Sequence, residues 1–212
     1  MKKLIIVGSI ILLTSITNFS QTPSFQNGNK NLDLGIALGI YATEGKNLDN
    51  GDFEEGGAAS YLVPLSFEYG ILNWLGVGAF FQYSHYLQNQ DSIQLSGVNW
   101  DANSFDLGLK ANLHFIRTPH TDMFVGSSFG ISPAKYQQND VNRTVFKDIG
   151  TVLSFYLQSR FMIGQNVAVS IYGSSMMFNY SSGVISNNLG EAVDFSLKLK
   201  GVNFGVALGW KF

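Results

Sequence analysis

The chain has 212 residues and a formal net charge of −2, with 23 glycines, no cysteine, 14% aromatic residues and only 13% charged ones; an ordinary soluble domain carries about 25% charged residues. Without cysteine there are no disulfides, thiolate metal sites, cysteine nucleophiles or cysteine-borne lipid anchors. The near-neutral balance lacks the basic stripe of a nucleic-acid binder, and so apolar and aromatic a composition excludes a disordered chain.

Lys2 and Lys3 precede an apolar run over residues 4–13 and a polar stretch over 14–20. This is the layout of a secretory signal peptide, with cleavage expected before Gln21. The run is too short for a spanning helix, which needs about 20 apolar residues, so an uncleaved anchor is the weaker reading. Residues 1–20 are assigned to the signal peptide, 21–30 to a short N-terminal segment and 31–212 to one domain.

From residue 31 the chain reads with period two. Leu32, Leu34, Ile36, Leu38 and Ile40 share one face over residues 31–41, the pattern of a strand with one apolar side. The same alternation recurs over 59–69, 75–87, 103–116, 123–132, 149–163, 167–180 and 192–212. The links between these eight stretches alternate in length. Residues 42–58, 88–102, 133–148 and 181–191 are long; 70–74, 117–122 and 164–166 are short. An even number of strands joined by alternating long and short links predicts an all-β fold: an eight-stranded antiparallel up-and-down transmembrane β-barrel. Its short turns are periplasmic, its long loops external, and both termini lie in the periplasm. A sheet in lipid must close because no backbone group finds water there.

A soluble barrel of lipocalin type, apolar inside and polar outside, shares the period. Three features favour the membrane. The second face of the strands is poor in charge and rich in Gly and Ala. Tyr41, Tyr61, Tyr69, Trp74, Tyr83, Tyr86, Trp100 and Trp210 lie near strand ends, as in two interfacial girdles. Third, the chain stops within its last strand at an aromatic residue.

That last strand places Val202, Phe204, Val206, Leu208, Trp210 and Phe212 on one face. It resembles the C-terminal assembly signal of outer-membrane proteins, with Trp210 and Phe212 its key positions. In that family the strand is read by the barrel-assembly machinery. Together with the signal peptide and strand parity, the pattern over residues 31–212 resembles the small OmpA/OmpX/OmpW-like barrels of the Gram-negative outer membrane. The resemblance implies contact with outer-membrane lipid and lipopolysaccharide, envelope proteins as further partners, and no nucleic acid. One irregularity interrupts the ending. Val193, Phe195, Leu197 and Leu199 are apolar at odd positions, whereas from Val202 the even positions are apolar. A β-bulge pivoting on Gly201 is one explanation; a hairpin extension above the membrane is the other.

The inward face carries Asp33, Glu68, Asp106, Lys110, Arg160, Lys198 and Lys211, with Asp33, Glu68, Arg160 and Lys211 toward the periplasm. Charges of both signs in so narrow a lumen are expected to pair and to plug it together with Phe80, Phe124, Tyr156, Tyr172 and Phe178; Lys211 is expected beside Asp33. His85, His114 and His120 show no metal-ligand spacing. Ser84 and His85 are neighbours on one strand and face opposite ways, so they make no nucleophile–base pair. Link 42–58, with Glu44, Asp49, Asp52, Glu54 and Glu55, is expected to be a solvated acidic loop. No cofactor, metal or catalytic residue is expected. The lead expectation is a non-enzymatic barrel with a structural or interaction role, through its external loops or as a subunit of an envelope complex. The alternatives are an OmpW-like conduit for small apolar solutes and, behind it, a lipid-modifying enzyme.

Overall fold

A computed structural model of the protein describes residues 23–88, 100–138, 145–186 and 192–212; the signal-peptide assignment lies outside these residues. The described chain folds into eight strands: β1 (Lys30–Asn47), β2 (Phe53–Gly70), β3 (Leu75–Gln88), β4 (Trp100–Arg117), β5 (Thr121–Gln138), β6 (Val145–Ile163), β7 (Val167–Ser186) and β8 (Ala192–Lys211). Each pairs antiparallel with the next, and β8 closes the ring on β1, from Asn31 opposite Lys211 up to Asn47 opposite Phe195. All eight predicted strands are present in the predicted order. The turns at the N-terminal end are tight; between β6 and β7 the chain reverses through Gly164, whose φ of 82° is one that side-chain-bearing residues rarely adopt.

The wall has the polarity of a membrane barrel. Leu34, Ile36, Leu38 and Ile40 of β1 are 46–72% exposed on the outside, and the belt continues through Leu107 and Leu109, Phe129 and Ile131, Phe155 and Leu157, and Phe204 to Leu208. Polar and small side chains fill the inside, so the soluble-barrel alternative, apolar within and polar without, is excluded. Such a wall is stable against lipid and not against water.

The strands run further outward than predicted. Residues 42–46 pair with residues 53–57, so the expected acidic loop shrinks to a tip at 48–52 and Glu44, Glu54 and Glu55 are strand residues. A strand of 18 residues is about 60 Å long and climbs about 45 Å at a tilt near 40°, whereas the apolar band of such barrels is about 25 Å tall. The upper part of each strand therefore stands in water, and there the polarity inverts. Lys46, Lys135, Lys147, Lys198 and Lys200 face outward and are exposed, and Glu44 faces outward half-buried. Tyr41, Tyr86, Phe146, Phe178, Tyr180 and Leu199 pack inward as an apolar core.

This inversion decides between the two readings of the ending, in favour of a strand extension, and corrects two expectations. There is no bulge at Gly201, because β8 pairs without a shift through Lys200, Gly201 and Val202 on both sides. The odd positions face inward throughout, and only the surroundings change from polar lumen to apolar core. Lys198 is exposed on the outer face rather than inside. Tyr41 and Tyr86, expected in the interfacial girdle, are 3% and 2% exposed within the core, while Tyr61, Tyr69, Trp74 and Trp210 lie outside.

Two prolines interrupt the hydrogen-bonded ladder. The β1–β2 register passes from Leu34–Leu65 to Ala37–Leu62 with the rungs at Pro64 and Val63 unpaired. The β4–β5 register likewise passes from Ser104–Ala134 to Leu107–Ile131 around Pro133. Proline has no N–H to donate, and a closed sheet offers it no free edge.

Candidate functional site: the closed lumen

The lumen is built in three layers. At the end that carries the short turns and the N-terminal segment, inward positions of β1, β2, β4 and β5 converge around Arg160 of β6. Its Nη1 donates to Asp122 Oδ2 at 2.8 Å, and its Nη2 to Asp33 Oδ2 at 2.8 Å and Glu68 Oε2 at 3.4 Å. His114 lies between two of the same carboxylates, with Nδ1 2.7 Å from Asp122 Oδ1 and Nε2 2.9 Å from Glu68 Oε1. Both ring nitrogens face acceptors, so the imidazolium, with two N–H donors, satisfies the arrangement. Asn31 and Asn112 also donate to Glu68, and Tyr156 donates its hydroxyl proton to Asn112 Oδ1. Gly76 faces this group, where any Cβ would strike the Glu68 carboxylate. The network is fully buried and nearly every charge in it is paired, the condition under which buried charge is tolerated.

The N-terminal segment corks this layer from below. Phe25 is fully buried and stacks on the His114 ring, centroids 3.5 Å apart and planes within 5°. The backbone around it is tied to three parts of the rim: Ser24 N donates to Thr118 O, Gly28 N to Gly70 O, and Lys211 Nζ to Pro23 O. Lys211 therefore holds the N-terminal segment and not Asp33, which is taken by Arg160.

Above the cluster lies a cavity of about 90 Å³ whose lining includes Asp33, Ser66, Gln82, Lys110, Tyr156 and Gln158. Lys110 donates to Ser66 Oγ at 3.0 Å and lies 5.7 Å from the Tyr156 ring centroid. Asp106 was expected to pair with a cation. It instead accepts from Ser132 Oγ (2.6 Å), Gln82 Nε2 (2.9 Å) and Ser104 Oγ (3.1 Å), a cage of neutral donors.

The aromatic core closes the opposite end. Tyr41, Tyr86 and Phe178 meet edge to face at centroid separations of 5.7–6.4 Å. Tyr41 donates to Asn203 Oδ1 at 2.6 Å, and the Tyr180 and Ser132 hydroxyls lie 2.7 Å apart. With the Tyr86 and Ser104 hydroxyls 3.3 Å apart, the Tyr41, Tyr86 and Tyr180 phenols are hydrogen-bonded inside an apolar layer, whereas the buried Tyr136 hydroxyl has no partner among the described residues.

Of the expected lumen residues, the structure brings Asp33, Glu68 and Arg160 into one cluster and sets Asp106, Lys110 and Lys211 apart from it. Trp210 and Phe212 face outward, 37% and 71% exposed. Sequence reasoning missed Asp122 and Phe25 and noted of His114 only that it lacks metal-ligand spacing. Asp122 falls one residue before the predicted start of its strand; Phe25 lies in no periodic stretch. Ser84 and His85 do face opposite ways: Ser84 is buried near Asp106, and His85 stacks outside on Tyr61 at 4.7 Å.

No protein-family model matches the sequence, and no curated protein matches it. Solved structures do. The outer membrane protein OprG from Pseudomonas aeruginosa aligns with a TM-score of 0.58 at 12% identity, over 89% of this chain and 97% of that one. The outer membrane protease OmpT from Escherichia coli aligns with a TM-score of 0.53 at 11% identity, over 93% and 100%. The outer membrane protein AlkL aligns with a TM-score of 0.51 at 12% identity, over 92% and 95%. At such identities the likeness is one of fold: this chain has the fold of small outer-membrane β-barrels.

Proposed function

We propose that the chain is an integral outer-membrane β-barrel with both termini in the periplasm. It acts without catalysis and without free conduction, through its external surface or as a subunit of an envelope complex. The observation that carries this reading is the double closure of the lumen, by the corked Arg160 cluster below and the aromatic core above. In planar bilayers the purified protein is expected to show no steady single-channel steps; stable steps of porin size would refute the reading. Mild extraction from native membranes is then expected to retain an envelope protein in fixed stoichiometry. Trp210 and Phe212, on the outer face of the closing strand, are proposed as the positions read by the barrel-assembly machinery. Outer-membrane lipid and lipopolysaccharide are the surroundings of the wall, and nucleic acid has no part.

A specific observation supports a second reading, a sideways conduit for small apolar solutes. The unpaired rungs at Pro64 lie between the polar cavity, which Gly35 and Pro64 line from within, and an apolar groove outside lined by Ile36, Leu38, Val63, Ile171, Phe204 and Val206. The substitution Pro64→Ala supplies the missing N–H. With a closed wall it raises stability by about 1 kcal/mol and leaves the uptake of small apolar solutes by cells unchanged. A several-fold fall in uptake would establish the conduit instead.

A further inference from the structure

Lys135 of β5 and Lys147 of β6 stand directly opposite each other, and both are exposed on the outer wall. Like charges at facing positions of adjacent strands repel, with Cβ atoms only about 5 Å apart. Among the described residues, the two carboxylates nearest in sequence and register have other contacts. Asp148 turns from the outer face and accepts from Ile149 N at 2.7 Å and Ser182 N at 3.2 Å. Asp101, on the neighbouring strand, lies 3.8 Å from His85. Across the barrel the same rim is balanced, with Lys198 opposite Glu44 and Lys200 3.8 Å from Glu44. Among the described residues, neither Lys135 nor Lys147 takes part in an ion pair.

Their height sets which anions come within their reach. On both strands the residue pair directly below is Pro133 and Ile149, the latter 69% exposed, and beneath them Ile131, Phe129 and Phe155 continue the apolar belt, each at least half exposed. The lysines are thus the first charged outward residues above the hydrocarbon boundary, at the external end, where the headgroups of the outer leaflet lie. Two amines at cross-strand spacing bracket one phosphate, and the apolar wall under them takes acyl chains. We propose that Lys135 and Lys147 form a phosphate-binding site for a phosphorylated glycolipid of the outer leaflet. This rests on the outer-membrane reading and assigns a fixed lipid contact to the β5–β6 face.

The test uses the full mature chain in detergent micelles, with bis-phosphorylated lipid A, its dephosphorylated counterpart and inorganic phosphate as probes, read by native mass spectrometry. The wild-type protein is expected to retain phosphorylated lipid A at least tenfold better than the dephosphorylated form. The variant Lys135→Gln/Lys147→Gln is expected to lose about thirtyfold in retention, while Lys198→Gln/Lys200→Gln behaves as wild type. Millimolar inorganic phosphate should not compete, which separates a lipid-borne phosphate from a free one. Equal retention of both lipids, a double variant that binds as wild type, or full displacement by inorganic phosphate would each overturn the site. Failure of the underlying reading is separately visible, because every variant would then be extracted from membranes by alkaline carbonate.

Discussion

Replacing Arg160 by methionine is expected to lower the unfolding free energy of the barrel by about 3–5 kcal/mol, the cost of breaking a buried ion pair by removing one partner. That is a large share of a total stability of ordinary size, about 5–15 kcal/mol. The reason lies in what remains. Among the described residues, Glu68 and Asp122 would keep His114 as their cation in direct contact and Asp33 would keep none, with Phe25 stacked across the way to water. Methionine keeps most of the volume, so the loss reports charge and hydrogen bonding rather than a cavity. Urea titration of the barrel refolded into lipid vesicles measures it. Adding Asp33→Asn and Asp122→Asn to Arg160→Met should recover more than half of the loss, because neutral amides need no counter-charge. Strong non-additivity of this kind marks one network. A change below about 1 kcal/mol for Arg160→Met would mean that solvent reaches the cluster, and the periplasmic seal would be wrong.

Truncating Phe178 to alanine is expected to cost a similar amount, about 3–5 kcal/mol, in a different place. Phe178 is 1% exposed and touches Tyr41, Tyr86 and Tyr180 in the external core. The strands there are flanked by water, and beside their backbone ladder this packing is what holds them together, so the loss should open the upper barrel locally. Hydrogen exchange in vesicles should quicken by about a hundredfold or more for amides of residues 41–47 and 192–200. Those of residues 34–40, within the lipid belt, should stay protected, and the folded band on unheated gels should persist. Uniform acceleration through the whole barrel would show that the two halves unfold as one unit.

The eight strands and their order were legible because lipid imposes period two directly: a strand such as residues 31–41 has no other way to satisfy backbone and bilayer together. The extents were not legible, because the rule that apolar means outward holds only inside the membrane. Leu197 and Leu199 are apolar and inward, Lys198 charged and outward, so reading the lipid rule upward assigned Lys198 to the lumen and left a bulge at Gly201 standing beside the extension that the structure shows. Residues 42–47, with Thr43, Glu44, Gly45 and Lys46, carry no apolar alternation at all and pair as strand nonetheless. The closure of the lumen was half legible. Charges of both signs pointed to a plug, but the Asp122 contact, the neutral cage around Asp106 and the cork at Phe25 depend on distances between segments that no local pattern encodes.

The water-exposed upper barrel also makes the height of this protein a quantity that changes in steps. Deleting Glu44 and Gly45 together with their partners Glu54 and Glu55, and the matching pair of rungs in the other three external hairpins, removes one pleat. The rim drops by about 5 Å, and each remaining side chain keeps its face. Deleting a single rung instead turns every residue between the cut and the tip inside out, placing Lys46 against the aromatic core and Asn47 in water. Natural or engineered variation in the reach of this barrel above the membrane should therefore come in pairs of residues per strand, with odd lengths absent from folded products.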